Sequence, residues 1–229
     1  EGTEPKPVKL FGSQCFDLGV PMGWVKLDGN RRFRRSYESM ARQNGKSFKN
    51  GIRGTYFSYA TGYQYGKLFT AATKKRQAKI AWEEMMKFIR SDKDLNELFK
   101  IQEYKSLITC LPTNCTIEAL SKEGGLDDGF RSVYSSVDEI HQHKDNRIYK
   151  ALYNGTRSLP ETLVSMITTR GFDLNSFCYE MDSYAQKVLM GVSTANDFFI
   201  DIYSIDKGDD FFNEDIWIKA NPILQAVLG

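Results

Sequence analysis

The feature that most restricts the fold is a Gly45-Lys46-Ser47 turn placed between a strand candidate and a helix candidate. Residues 36–41 have the character of a short strand, and from residue 48 to about residue 59 apolar side chains recur at helical spacing. In this context the backbone N–H groups of the turn, helped by the dipole of the following helix, point at a bound anion. The pattern therefore predicts a phosphate-binding loop in an α/β domain.

Strand-like and helix-like segments continue to alternate along the rest of the chain. The strand candidates are residues 67–72, 106–110, 116–120, 132–137, 163–167 and 198–203, and the helix candidates are residues 73–90, 145–153 and 176–189. This alternation predicts an α/β fold with a mostly parallel central sheet flanked by helices. A Pro-Thr-Asn turn at residues 112–114 makes the two strand candidates beside it the expected partners of a hairpin.

Composition narrows the class of protein further. Of the 229 residues, 41% are hydrophobic and 13% aromatic, which is enough for one large domain or two small ones with a buried core. The formal net charge is only +2, so a nucleic-acid partner would need a local basic patch. No segment approaches the roughly 18 apolar residues of a membrane span, and the first residues lack the pattern of a signal peptide.

The four cysteines and two Asn-X-Thr tripeptides leave open one alternative function from another class of protein. This alternative is a secreted, disulfide-bonded glycoprotein that only binds a partner. The tripeptides begin at Asn114 and Asn154. A domain of this length does not need disulfides for stability, and no Cys–His spacing indicates zinc. We therefore expect free thiols in a reducing cytoplasm.

The residue types of the turn fit phosphate chemistry. Gly45 permits close approach of the backbone to the ligand, and Lys46 brings a positive charge to the β- and γ-phosphates. The hydroxyl of Ser47 can bind magnesium. Met40 stands where the usual pattern has its first glycine. Alone, the turn could also be a lysine that begins a surface helix.

A second half of the site is expected at the end of the strand candidate at residues 132–137. Because carboxyl ends of parallel strands form the ligand crevice of α/β folds, Asp138 could hold magnesium and Glu139 could orient and deprotonate water. The alternative is a solvated acidic pair that opens a helix. Thr168 and Thr169 end another strand candidate, where hydroxyls could sense the γ-phosphate or simply fill the strand.

Together these segments resemble the large terminase subunit of tailed bacteriophages, an ATP-driven motor that packages DNA into procapsids. The similar stretches are residues 10–14 (an upstream glutamine motif), 41–47 (a phosphate loop without the first glycine), 68–78 (the strand–helix unit that follows), 137–141 (the acidic motif), 167–171 (the coupling motif) and 217–222 (the segment leaving the ATPase domain). They occur in the family's order, and the departure at Met40 is a family trait.

The resemblance implies a P-loop NTPase of the additional-strand, catalytic-glutamate type that uses Mg2+ with ATP. It assigns catalysis to Glu139, Lys46 and Arg42, metal binding to Ser47 and Asp138, and coupling to Thr168 and Thr169. The implied nucleotide-binding residues are Gln14 (on the adenine), Arg42, Gln43, Asn44, Gly45, Lys46 and Ser47. His141 and His143 are expected at the surface or behind the site rather than as ligands.

The resemblance also implies a division into an N-terminal segment (1–35), an ATPase core (36–210) and an exit segment (211–229) toward a nuclease domain that this chain lacks. The implied partners are double-stranded DNA, the portal protein, the small terminase subunit and other copies of the chain, expected to form a pentameric ring on the procapsid or to be monomeric in isolation. The implied location is the cytoplasm of an infected bacterium, transiently at the portal.

Two sets of basic residues have expected partners. Arg131, with Lys122 behind it, is the candidate arginine that completes a neighbouring subunit's site. The basic run at residues 31–35 could contact DNA phosphates or form a solvated turn. The rival within ATPases is a helicase-type translocase, which would be expected to carry a second ATPase lobe after residue 171.

Overall fold

The computed structural model describes residues 7–121, 131–171 and 173–224. The helices are α1 (Gly12–Gly23), α2 (Lys46–Tyr59), α3 (Lys75–Arg90), α4 (Lys93–Glu97), α5 (Arg147–Gly155) and α6 (Phe177–Leu189). The strands are β1 (Arg35–Ser39), β2 (Lys67–Ala72), β3 (Phe99–Gln102), β4 (Leu107–Cys110), β5 (Thr116–Ser121), β6 (Ser132–Asp138), β7 (Leu163–Thr168) and β8 (Phe198–Ile202). Short 3-10 helices lie at Glu103–Lys105, Ile140–Gln142 and Glu214–Lys219.

All eight strands form one sheet in the order β3-β4-β5-β2-β6-β7-β1-β8. Seven strands run in the same direction, and only β4 is antiparallel to its neighbours β3 and β5. The predicted mostly parallel α/β sheet is therefore confirmed, as is the hairpin across residues 112–114. Helix α1 and strand β3 were not predicted.

The sheet has one apolar core on each face. Helices α2 and α3 pack on one face, where Phe57, Trp82 and Ile89 are buried. Helices α5 and α6 cover the other, where Leu152 is buried. Burial on both sides explains why the central strands are almost continuously apolar or small rather than alternating. No helix within the described ranges is both long and apolar enough to cross a bilayer.

Candidate nucleotide-binding site

The predicted phosphate loop lies at the carboxyl end of β1, directly before α2. Gly45 is the residue before the first helical turn and has φ +70°, a left-handed backbone that favours glycine. A Cβ atom at this position would also lie 2.8 Å from Nε2 of Gln14. The backbone angle therefore favours glycine here, and any larger residue would also displace the end of the Gln14 side chain.

The Lys46 side chain folds back into this loop. Its ammonium donates to the carbonyl oxygens of Met40 at 3.2 Å and Ala41 at 2.9 Å. Burial lowers the pKa of Lys46, and the charges of Glu139 and Asp138 act in the opposite direction. The lysine thus lies within the electrostatic reach of the acidic pair.

The rest of the loop is tied to the C-terminal segment. The Asn44 amide donates to the carbonyls of Ala41 and Arg42 and to Oδ1 of Asn221 at 3.1 Å. The Ala41 N–H donates to the carbonyl of Ala220 at 3.1 Å. Residues 220 and 221 therefore support the loop rather than only leaving the domain. Among the predicted nucleotide-binding residues, Arg42 and Gln43 are exposed and Ser47 is half-buried.

The acidic pair ends β6 at the same edge of the sheet. Oδ1 of Asp138 accepts a hydrogen bond from the Glu139 N–H at 2.8 Å, while Glu139 has a left-handed φ of +48°. Burial, and then the neighbouring charge of Glu139, raise the pKa of Asp138 to about 6. The site therefore carries a carboxyl group that ionises close to neutral pH.

Strand β7 lies between the loop strand and the acidic strand. Its register pairs Thr168 with Ser39 of β1 and Ile167 with Asp138 of β6. At a strand spacing of about 4.8 Å, the loop and the acidic pair are roughly 10 Å apart, with Thr168 between them. The Thr168 carbonyl also accepts from the Met40 N–H at 3.2 Å.

Both histidines lie behind the acidic pair. His143 is only 3% exposed, and its Nε2 is 3.1 Å from the carbonyl of Asp138. His141 is close to Glu139, with 2.9 Å between Nδ1 and the carboxylate Oε2. The backbone N–H of His141 donates to the hydroxyl of Thr168 at 3.2 Å. The sequence did not indicate that His141 joins the acidic pair to β7.

A buried charged cluster under the phosphate loop was also not predicted from the sequence. The cluster consists of Asp17, Glu38, Lys49 and Arg53: Lys49 forms ion pairs with Asp17 and Glu38, and Arg53 forms one with Glu38. Burial alone would raise the pKa of Glu38, but Arg53 and Lys49 outweigh it and hold that pKa below its usual value. Charged residues are normally exposed, so their positions in the sequence gave no signal.

The first helix brings Gln14 to the site. Gln14 is 6% exposed, and its Oε1 accepts from the N–H of Phe11 at 3.1 Å, which caps the start of α1. Its amide nitrogen packs against Gly45. Because Asp17 on the same helix joins the charged cluster, α1 is fixed to α2 and β1. A contact of Gln14 with adenine stays a prediction.

Most arginines of the basic run are held by the protein itself. Arg31 is 3% exposed and donates to the carbonyl of Pro21, Arg34 donates to the carbonyls of Thr156 and Leu159, and Arg35 donates to Asp197. These contacts give the three guanidinium groups structural partners within the domain. Arg131 is exposed before β6, at the opposite end of that strand from Asp138, and therefore lies far from its own site. Lys122 lies outside the described residues.

The donor set fits magnesium held jointly with a nucleotide. Within residues 7–121, 131–171 and 173–224, no group of three His, Cys, Asp or Glu side chains could form a protein-only metal site. Mg2+ commonly takes one or two protein oxygens and fills its other positions with phosphate oxygens and water. Ser47 and Asp138 offer oxygens of this kind, and Oδ2 of Asp138 makes none of the described hydrogen bonds.

Comparison with known families gives one strong match. A family model described as "Terminase large subunit, ATPase domain" matches residues 13–187. This span runs from α1 into α6 and includes the loop, the acidic pair and the end of β7. Protein YmfN of Escherichia coli (strain K12) is 30% identical over 95 residues, which are 42% of this chain and 21% of that protein.

Solved structures show the same fold. The chain is similar to the large terminase of bacteriophage HK97, with a TM-score of 0.80, 21% identity, and coverage of 96% of this chain and 44% of that one. It is also similar to the large terminase ATPase domain of Thermus phage P74-26, with a TM-score of 0.56, 14% identity, and coverage of 87% and 85%. The chain spans less than half the length of the HK97 protein and about a fifth of YmfN.

Proposed function

The chain belongs to the family of terminase large subunit ATPase domains, and on this premise we propose that it hydrolyses Mg2+-ATP to drive double-stranded viral DNA into a procapsid. The observation that carries the proposal is the meeting of three elements at one sheet edge. The phosphate loop, the acidic pair and the threonine end of β7 follow three adjacent parallel strands. A nucleotide at that edge would touch all three.

In the proposed reaction each element has a separate task. Lys46 exchanges its loop carbonyls for phosphate oxygens, and the N–H groups at the start of α2 bind the same phosphates. Ser47 and Asp138 hold Mg2+, which supplies charge neutralisation on the phosphates. Glu139 orients a water and takes its proton as the water oxygen bonds to the γ-phosphorus and the bond to the ADP oxygen breaks.

The remaining assignments concern contacts at the edge of the site and beyond it. Gln14 is the proposed adenine contact, and Arg42, Gln43 and Asn44 line the loop, where Arg42 supplies further charge. Thr168 and Thr169 transmit the state of the γ-phosphate. The proposed assembly is a homo-oligomeric ring on the portal, with the small terminase subunit as a further partner, in the cytoplasm of the infected host. Arg131 is the proposed trans arginine within that ring.

The test separates binding from turnover. Glu139→Gln keeps the size of the side chain but removes the base, so we expect retained binding of a fluorescent ATP analogue and a loss of turnover of about 10²-fold or more. Lys46→Ala should instead weaken analogue binding. Glu84→Gln, an exposed carboxylate on α3, is the matched control. Undiminished hydrolysis by the Glu139 variant would reject Glu139 as the base.

The coupling to DNA needs a second measurement with the intact terminase subunit. Procapsids, the subunit and ATP are mixed with double-stranded DNA, and DNA protected from added nuclease is measured. We expect protection with the unaltered subunit and none with the Glu139→Gln variant. ATP hydrolysis without protected DNA, in the presence of procapsids that are competent for packaging, would contradict the packaging role.

A further inference from the structure

The His141 ring nitrogen Nδ1 has two oxygen neighbours on different elements. Nδ1 is 2.9 Å from Oε2 of Glu139 and 3.1 Å from Oγ1 of Thr168. The hydroxyl of Thr169 is also near, at 3.4 Å. Within the described structure, Oε2 of Glu139 is buried and makes no hydrogen bond of good geometry. One imidazole nitrogen therefore lies between an unsatisfied carboxylate oxygen and the end of β7.

The hydrogen bonds around His141 indicate which ring nitrogen carries the proton. The Thr168 hydroxyl gives its only proton to the carbonyl of Thr169 at 2.6 Å, so its oxygen acts as an acceptor toward His141. An ionised Glu139 carboxylate can only accept as well. Lone pairs of Thr168 and of an ionised Glu139 thus face Nδ1, which favours a proton on this nitrogen. This single N–H has two competing acceptors.

The backbone is shaped to hold the ring in this place. The backbone N–H of His141 also donates to Thr168 Oγ1. In the loop after β7, a Cβ atom at Gly171 would lie 2.9 Å from the Cβ of His141, closer than real Cβ contacts. The loop after β7 can approach the histidine only because residue 171 has no side chain. Contacts with Thr168 and with Gly171 thus both hold His141 close to the end of β7.

We propose that His141 is a positioning residue that exchanges its Nδ1–H between Thr168 and the Glu139 carboxylate. This inference rests on the proposed role of Glu139 as the base. While the proton points to Thr168, Oε2 is unsatisfied and Glu139 is free to change its rotamer. When the ring turns toward Glu139, the carboxylate is fixed and Thr168 loses an N–H donor. The base and the end of β7 therefore change hydrogen-bond partners together.

The first test reads the tautomer directly and needs no catalysis. The chain has only two histidines, so long-range 1H–15N NMR of the nucleotide-free protein gives two resolvable ring patterns. We expect a protonated Nδ1 for His141. His143 is the internal control, because its Nε2 faces the Asp138 carbonyl and must carry the proton. A neutral His141 ring with the proton on Nε2 alone would overturn the proposal.

The second test uses the geometry of amide side chains. Asn places its amide nitrogen where Nδ1 of His lies, whereas Gln extends to the position of Nε2. We expect His141→Ala and His141→Gln to lower kcat about tenfold with unchanged affinity for a fluorescent ATP analogue. His141→Asn should restore most of the rate. Gly171→Ala should reproduce the loss by displacing the ring.

The outcomes distinguish this inference from the proposed function. If Glu139→Gln abolishes turnover while His141→Ala turns over at the unaltered rate, the base is retained and the role of His141 is rejected. If Glu139→Gln turns over normally, the base assignment fails first, and the inference fails with it. Equal losses for the Asn and Gln variants would show that the ring only fills space, which also rejects the proposal.

Discussion

Replacing Asp138 with asparagine should stabilise the metal-free fold, although it removes a proposed magnesium ligand. Burial and the charge of Glu139 raise the pKa of Asp138 from 3.8 to about 6. Because the folded pKa lies above the unfolded one, ionisation of this carboxyl group destabilises the fold as the pH rises through that interval. The charged form costs about 3 kcal/mol above pH 7, at ~1.4 kcal/mol per pH unit.

The expected gain in the free energy of unfolding differs between pH 8 and pH 5. At pH 8 the full cost is present, so Asp138→Asn should raise the free energy of unfolding by about 3 kcal/mol. At pH 5 the folded carboxyl is largely protonated while the unfolded one is largely ionised, and the gain falls to about 1.5 kcal/mol. Any difference in packing between the amide and the neutral acid is the same at both pH values.

Urea unfolding in EDTA measures this directly, with both proteins at both pH values. Asp94→Asn, on the exposed start of α4, is the matched control for loss of a carboxylate outside the site, measured at the same two pH values. A gain for Asp138→Asn that is the same at the two pH values, or a loss at pH 8, would refute the account of this carboxyl group. With Mg2+ and nucleotide present, the same variant should lose affinity.

Three further outcomes follow from packing and exposure. Gly45→Ala should weaken binding of an ATP analogue and lower the free energy of unfolding by about 1–2 kcal/mol, because φ is +70° and the new Cβ would lie 2.8 Å from Gln14 Nε2. Unchanged affinity would contradict the loop geometry. Leu152→Ala, on the buried face of α5, should lower the free energy of unfolding by about 2–5 kcal/mol, whereas Leu189→Ala, exposed at the end of α6, should lower it by under about 1 kcal/mol. Thiol titration should show Cys15 reacting first, because the other three free cysteines are buried, and four thiols after denaturation; two bridges would favour the secreted alternative.

The sequence predicted the elements whose chemistry is local. The strand candidate at residues 67–72 coincides with β2, because a run of buried residues bounded by polar ones identifies a central strand. The Gly-Lys-Ser turn and the acidic pair were found for a similar reason, since each is a short motif attached to a strand end. Their meeting at one edge follows from parallel pairing and is confirmed by the register through β7.

What could not be predicted depends on contacts distant in sequence. Helix α1 contains Pro21 and three glycines, and it was not recognised because it lacks a strong apolar period. Burial of Lys49 depends on partners 11 and 32 residues away. The contact of His141 with Thr168 spans 27 residues. Pattern reasoning assigns such charged and polar residues to the surface, where most of them lie in other proteins.

The charged cluster under the loop restricts how this protein can evolve. Asp17, Glu38, Lys49 and Arg53 contribute two charges of each sign, and each of the four is at most 2% exposed at its side chain. Losing any one would leave a buried charge uncompensated, at about 3–5 kcal/mol, a large part of the 5–15 kcal/mol that typically stabilises a domain. A single substitution among the four is therefore strongly destabilising, whereas replacement of all four by apolar residues can preserve stability. Across distant relatives, these four positions should be inherited or replaced as a unit.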